Sequence, residues 1–213
     1  PGGGKPTFAN ELTASTLFIA TEEGQGFLEC FHQSCRTWND FQSIIGELKN
    51  PKVADRYEAF AVDTADQLYE QCMEYVGKKH GFSYPAEDDF GKEWKLIRTE
   101  FQRGLNQILG IGKGVILISH SQERTTKTRT SEITKTMSTL PGSARKVILP
   151  LVSVIIYAGY KWVKDKETGE KYEQRRAIMA PSETLEAKDR TGRLPDSMPL
   201  SAKRFIEAYR GVR

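Results

Sequence analysis

Three short apolar runs limit what this chain can fold into, because each is continuous and each ends in a residue that carries chemistry. "LFIA" (17–20) runs into Glu22 and Glu23, "AFAV" (59–62) into Asp63, and "GVILISH" (114–120) ends at His120. A strand apolar at every position is buried on both faces, as in a parallel sheet covered by helices. Between the runs lie segments of helical period. One carries Trp38, Phe41, Ile44, Ile45 and Leu48, and another Trp94, Ile97, Phe101, Leu105 and Ile108. A further helix follows Asp63 and is expected to close near Gly77. The alternation predicts an α/β fold with a mainly parallel sheet and helices on both faces. A fourth strand is expected within 147–160, then a hairpin with Thr168-Gly169 at its tip, then a helix in "PLSAKRFIEAYRGV". At 213 residues the chain is expected to be one domain, 1–213.

Open sheets of this kind bind ligands beyond the carboxyl ends of their strands. Glu22, Glu23, Asp63 and His120 are therefore expected on one rim. The opening "PGGGKPT" then gains meaning, because Gly4-Lys5 matches the G-K of a phosphate-binding loop. Backbone amides of Gly2, Gly3, Gly4 and Lys5 would cradle phosphates, and Lys5 would reach the terminal oxygens. Asp63 would hold magnesium, Glu22 would orient and deprotonate water, and His120 would sense the γ-phosphate. Taken alone, such a leader is more often a linker; the order of the acids behind it favours the loop.

Pro6 departs from that motif. It has neither the hydroxyl that ligates magnesium nor an N–H for phosphate, and Thr7 replaces it only if the loop shifts by one residue. A parallel sheet that aims such a loop also needs a strand before it, so the chain is expected to lack its first strand upstream of residue 1.

Other classes fall away on composition. Lys and Arg number 31 against 28 acids, and a net charge of +3 implies no nucleic-acid binding by itself. The absence of a signal peptide or of an apolar run long enough for a bilayer predicts a cytosolic protein with no membrane partner. Three cysteines argue against a disulfide framework. Cys30, His32 and Cys35 lie close together without a second ligand pair, so half-buried thiols are the better reading than zinc.

"LFIATEEG", "FAVDTADQLYE", "GKEWKLIRTEF", "VILISH" and "AKDRTGRLPDSMPL" resemble successive blocks of the phage RecA-like nucleotide-binding proteins. These are AAA-domain P-loop ATPases that include phage single-strand-annealing recombinases. The resemblance runs over nearly the whole chain. It implies a RecA-like core that binds ATP and Mg2+, hydrolyses ATP, and acts on single-stranded DNA as a homo-oligomer in a phage-infected or prophage-bearing bacterial host. Single-strand-binding or replication proteins would be further partners. It places Glu22 as the catalytic glutamate, with Glu23 its neighbour, and Asp63 as the Walker B aspartate. Arg190 and Arg193 fall where an arginine would serve a neighbour's nucleotide. A helicase-loader motor, or a nucleotide-binding scaffold whose turnover Pro6 impairs, remain the alternatives.

The segment from Ser121 to Lys146 holds eleven Ser/Thr in 26 residues and reads as a long mobile loop. Arg124, Lys127, Arg129, Lys135, Arg145 and Lys146 stand there against Glu123 and Glu132. That is +4, with −1 for the rest of the chain. RecA-like recombinases place DNA-binding loops in this region, so these six are the expected contacts to DNA phosphates.

Overall fold

The structure is a computed structural model that describes residues 4–22, 28–85, 91–127, 132–165 and 168–211. Along the chain, α1 (Lys5–Glu11) precedes β1 (Thr16–Ala20), β2 (Phe31–Ser34), α2 (Trp38–Leu48) and the single turn α3 (Pro51–Ala54). Then come β3 (Ala59–Asp63), α4 (Ala65–His80), α5 (Lys92–Leu109) and β4 (Gly114–Ile118). Next are β5 (Ser121–Lys127), β6 (Glu132–Ser138) and α6 (Gly142–Leu151). The remainder is β7 (Val154–Ile155), β8 (Tyr157–Lys164), β9 (Lys171–Ile178), β10 (Lys188–Asp189), β11 (Ser197–Pro199) and α7 (Ala202–Arg210). These elements divide into two compact units.

The first unit, Thr13–His120 with Thr139–Leu151, holds a parallel sheet in the order β2-β1-β3-β4, flanked by helices. This is the α/β architecture the continuous apolar runs predict. Every residue of β1 is buried, as are the first four of β3. Thr37 starts α2 with a capping box closed by Asp40, which satisfies donors the first turn would leave open. Trp38, Phe41, Tyr69 and Phe101 interlock in the core, with ring centroids of Trp38–Phe41 and Tyr69–Phe101 both 5.0 Å apart. Gly104 lets α5 approach, since a Cβ there would meet the Trp38 ring at 2.6 Å.

Two expectations need correction here, and one strand had no expectation to match it. Helix α4 does not close at Gly77, which is instead packed where a Cβ would collide with the carbonyl of Phe82. It closes at Gly81, whose φ of 82° suits the left-handed cap. Strand β2 was not foreseen: "FHQS" is exposed at all four positions and has no apolar pattern to betray an edge strand. Residues from 147 do not begin a strand. They complete α6, which buries Ala144, Val147 and Ile148 at helical spacing, and Pro150 falls in its last turn. Strand comes later in the stretch, in β7 and then β8.

The second unit comprises Pro1–Leu12, Ser121–Ser138 and Val152–Arg213. The presumed loop from Ser121 is in fact an ordered antiparallel hairpin, β5 against β6 from Ser121↔Ser138 to Lys127↔Glu132. Thr is a good strand former, and hydroxyl pairs such as Thr125–Thr134 at 2.8 Å join the strands. β6 gains further bonds from the stretch around Leu185, with Thr136 N–H donating to Thr184 and Glu186 N–H donating to Thr136. The expected C-terminal hairpin is present as β8 and β9, with Gly169 at φ 75° in its turn, and β11 adds a third strand in the order β11-β9-β8. The core of this unit gathers Phe8 of α1, Ala177, Met179, Met198 and Phe205, with Phe8 edge-on to Phe205 at 5.7 Å. Among the described residues no helix is long and apolar enough to cross a membrane.

Candidate functional site

The carboxyl ends of β1, β3 and β4 lead to Glu22, Asp63 and His120, all within the first unit. β3 pairs with both β1 and β4, so Ala20, Asp63 and Ile118 lie level across the sheet. Glu22 follows two residues after Ala20 and His120 two after Ile118. Glu22 does not hang free: Thr64 Oγ1 donates to its Oε1 at 2.8 Å, and His120 Nε2 lies 3.7 Å from its Oε2. Thr64 is also the N-cap of α4, accepting from Gln67 N–H, so the same hydroxyl starts the helix and holds the glutamate. Its N–H donates to Thr21 Oγ1 at 2.6 Å, and Thr21 Oγ1 donates to the Thr64 carbonyl at 3.0 Å. Asp63 is half-buried beside them, and the peptide linking it to Thr64 is cis.

One residue of this rim escaped the sequence reading. Asp66, in the first turn of α4, accepts from Ser119 Oγ at 3.0 Å, from His120 N–H at 3.2 Å and from Thr139 Oγ1. Thr139 N–H donates to the His120 carbonyl at 3.0 Å. The residues where the chain leaves β4 and where it re-enters the unit are thus tied to one carboxylate. An acid in the first turn of a helix is so ordinary, given the helix dipole, that "VDTADQ" hides it. Asp66→Ala is expected to lower the unfolding free energy by about 1–3 kcal/mol in urea titration, since it strands several donors at once.

The thiols near the rim sit where the thiolate form is disfavoured. Cys35 is fully buried, and burial, then Asp40, push its thiol up to about 12. Burial, then the Asp63 carboxylate, raise Cys30 as well. Neither is a ready thiolate ligand. Among the described residues no group of three or more His, Cys, Asp or Glu could hold a metal alone. Magnesium needs none, because it takes one or two carboxylates and completes its shell with phosphate oxygens and water. Asp63 suits that role, and the hard oxygen donors of the rim fit the ion.

A family model described as AAA domain matches residues 1–191. The chain belongs to this family. No curated protein matches it at a significant level. As an AAA domain it is of the nucleotide-binding ATPase type, and such domains typically bind their nucleotide with Mg2+. The family's core architecture is the α/β sheet already described.

In the second unit, Gly4 is the N-cap of α1 at φ 69°, Lys5 is the first helical residue, Pro6 sits in the first turn and Thr7 follows it. Pro costs nothing there as a helix former, since that N–H has no helical acceptor. Gly2 and Gly3 lie outside the described residues, as do Glu23 and Arg129. The "AKDRTGRLPD" block is folded around Asp189, which accepts from Thr191 N–H and Oγ1 at 2.7 Å each and from Leu194 N–H at 3.1 Å. Desolvation opposes its charge, but these bonds outweigh it and hold the carboxyl below the usual range. The turn presents Arg190 and Arg193 differently. Arg193 Nη1 donates to the Tyr209 carbonyl at 3.2 Å, at the end of α7, while Arg190 N–H donates to the Ser153 carbonyl.

The six basic residues of the supposed loop do not share one element. Arg124, Lys127 and Lys135 are on the β5–β6 hairpin, whereas Arg145 and Lys146 are on α6 in the other unit. Lys127 lies 3.8 Å from Glu132 in an exposed pair worth little. Arg124 stands directly opposite Lys135.

Proposed function

We propose that this AAA domain is an ATP-binding, ATP-hydrolysing protein of phage-type DNA recombination that acts on single-stranded DNA as a homo-oligomer. The observation that carries the ATPase reading is the rim, where Glu22 is held by Thr64, stands 3.7 Å from His120 and follows the strand beside Asp63. In this reading Asp63 holds magnesium. Glu22 orients the attacking water and takes its proton, and the Thr64 hydrogen bond fixes the carboxylate for that task. His120 senses the γ-phosphate, and Gly4 with Lys5 contacts the phosphates. Arg190 and Arg193 are proposed to serve a neighbouring subunit's nucleotide.

The DNA reading is supported by the hairpin. Like charges directly across two strands repel, and Arg124 opposite Lys135 is such a pair. A phosphate between them would relieve that repulsion. Replacing Arg124, Lys127 and Lys135 by alanine is expected to flatten the salt dependence of oligonucleotide binding by roughly two units, at about 0.7 per single-strand contact. ATP affinity should not move. An unchanged slope in fluorescence anisotropy would place the DNA contacts elsewhere.

A second reading, a nucleotide-binding scaffold without turnover, is favoured by Pro6 in the first turn of α1. A helicase-loader motor would use the same residues for another DNA task. Phosphate release measured with and without single-stranded DNA separates them: DNA-stimulated turnover supports a motor, and DNA binding with no turnover supports the scaffold.

A further inference from the structure

We infer that the face of the β8–β9 hairpin bearing Tyr160 and Trp162 is a platform on which bases of single-stranded DNA stack; this rests on the proposed DNA-binding role and adds to it a second surface of different chemistry. The register places Tyr160 opposite Arg175, Trp162 opposite Glu173 and Lys164 opposite Lys171. Residues directly opposed share a face, so two aromatic rings and three cations lie together with one acid. Tyr160 is 51% exposed and Trp162 70%. Such exposure is unusual for the largest side chains, which are otherwise well buried on average.

Geometry suits bases. Alternate residues on a strand are about 6.6–6.8 Å apart, twice the roughly 3.4 Å rise of stacked bases. Two rings so spaced can each take one base or bracket one between them. Tyr160 is held in place, since Arg175 lies over its ring at 5.6 Å from the centroid and Arg175 Nε donates to its hydroxyl at 2.7 Å. Lys164 and Lys171 stand beside the rings for the phosphates.

Composition selects the occupant. Trp, Tyr and Arg also anchor protein interfaces, but lysine is depleted there. Lysines flanking stacking aromatics are the make-up of single-strand surfaces. The β5–β6 hairpin has no aromatic among its described residues and can grip only the backbone, so the two hairpins divide the work.

The test titrates labelled oligo(dT) into the full chain, following anisotropy and tryptophan fluorescence. Tyr160→Ala and Trp162→Ala are each expected to weaken binding roughly 5- to 150-fold with the salt slope unchanged. Trp162→Phe should keep most of the affinity and lose the part of the quenching that Trp162 contributes; of the other two tryptophans Trp38 is only 1% exposed, and the half-buried Trp94 sets the background that this variant reports. Both side chains are exposed, so far-UV circular dichroism should show the variants folded. Parent affinity in the Tyr160→Ala/Trp162→Ala variant, with the salt slope still flattened in the β5–β6 charge variant, overturns the platform and leaves the DNA reading standing. Absence of oligo(dT) binding by the parent overturns both. Quenching of Trp162 by ATP rather than by oligo(dT) reassigns the rings to the nucleotide's base and overturns the platform. So does a double variant that loses self-association in sedimentation while binding oligo(dT) normally.

Discussion

Glu22→Gln is expected to bind ATP as the parent does and to hydrolyse it about 10²–10⁴-fold more slowly, the usual worth of a positioned base. The amide keeps the size of the carboxylate and can still accept from Thr64 Oγ1, which lies 2.8 Å from Glu22 Oε1. What it loses is basicity. Affinity for a fluorescent ATP analogue, measured beside single-turnover phosphate release, splits binding from chemistry. Thr64→Val should give a smaller loss of turnover, since the base remains but is no longer held, and should cost about 1 kcal/mol of stability as a lost N-cap. Parent-like turnover in Glu22→Gln would remove Glu22 from the mechanism.

Lys5→Ala is expected to have the largest effect on nucleotide binding itself. Lys5 is the basic residue of the glycine-rich segment and opens α1. Its ammonium would make charge-assisted hydrogen bonds to phosphate, each worth about 1.5–3 kcal/mol, so affinity should fall roughly 10- to 150-fold for one such bond. Pro6→Thr should act in the opposite sense, because it returns both an N–H and a hydroxyl to the first turn. Measured together by isothermal titration, the pair brackets the segment. Parent-like affinity in Lys5→Ala would mean that the opening residues are not a phosphate loop.

What the sequence disclosed follows from burial. β1 and β3 were legible because they are covered on both faces and so are apolar throughout, and α2 and α5 because each has one buried stripe. Glu22, Asp63 and His120 were legible because the chain must pass the sheet rim when it leaves such a strand. β2 was not, since an exposed edge strand needs no apolar residue. The β5–β6 hairpin looked like a loop because its strands are held by threonine, cross-strand pairs and backbone bonds to residues near 185, partners distant in sequence. α6 looked like a strand because Ile, Val and Pro150 argue against a helix locally, and packing of Ala144, Val147 and Ile148 overrides them. Asp66 was hidden for the opposite reason, being normal where it stands.

The hydrogen bond from Thr139 to His120, clamped by Asp66, has a consequence for how such a chain can change over generations. The stretch from 121 to 138 leaves and returns at one closed point. Lengthening an excursion whose ends are already joined costs little, about 0.6 kcal/mol for each doubling. The point therefore works as a socket. Hairpins of other lengths and charges could be exchanged there by duplication or recombination, while the sheet and its rim keep their form. A lineage carrying this fold can revise the hairpin without revising the sheet it springs from.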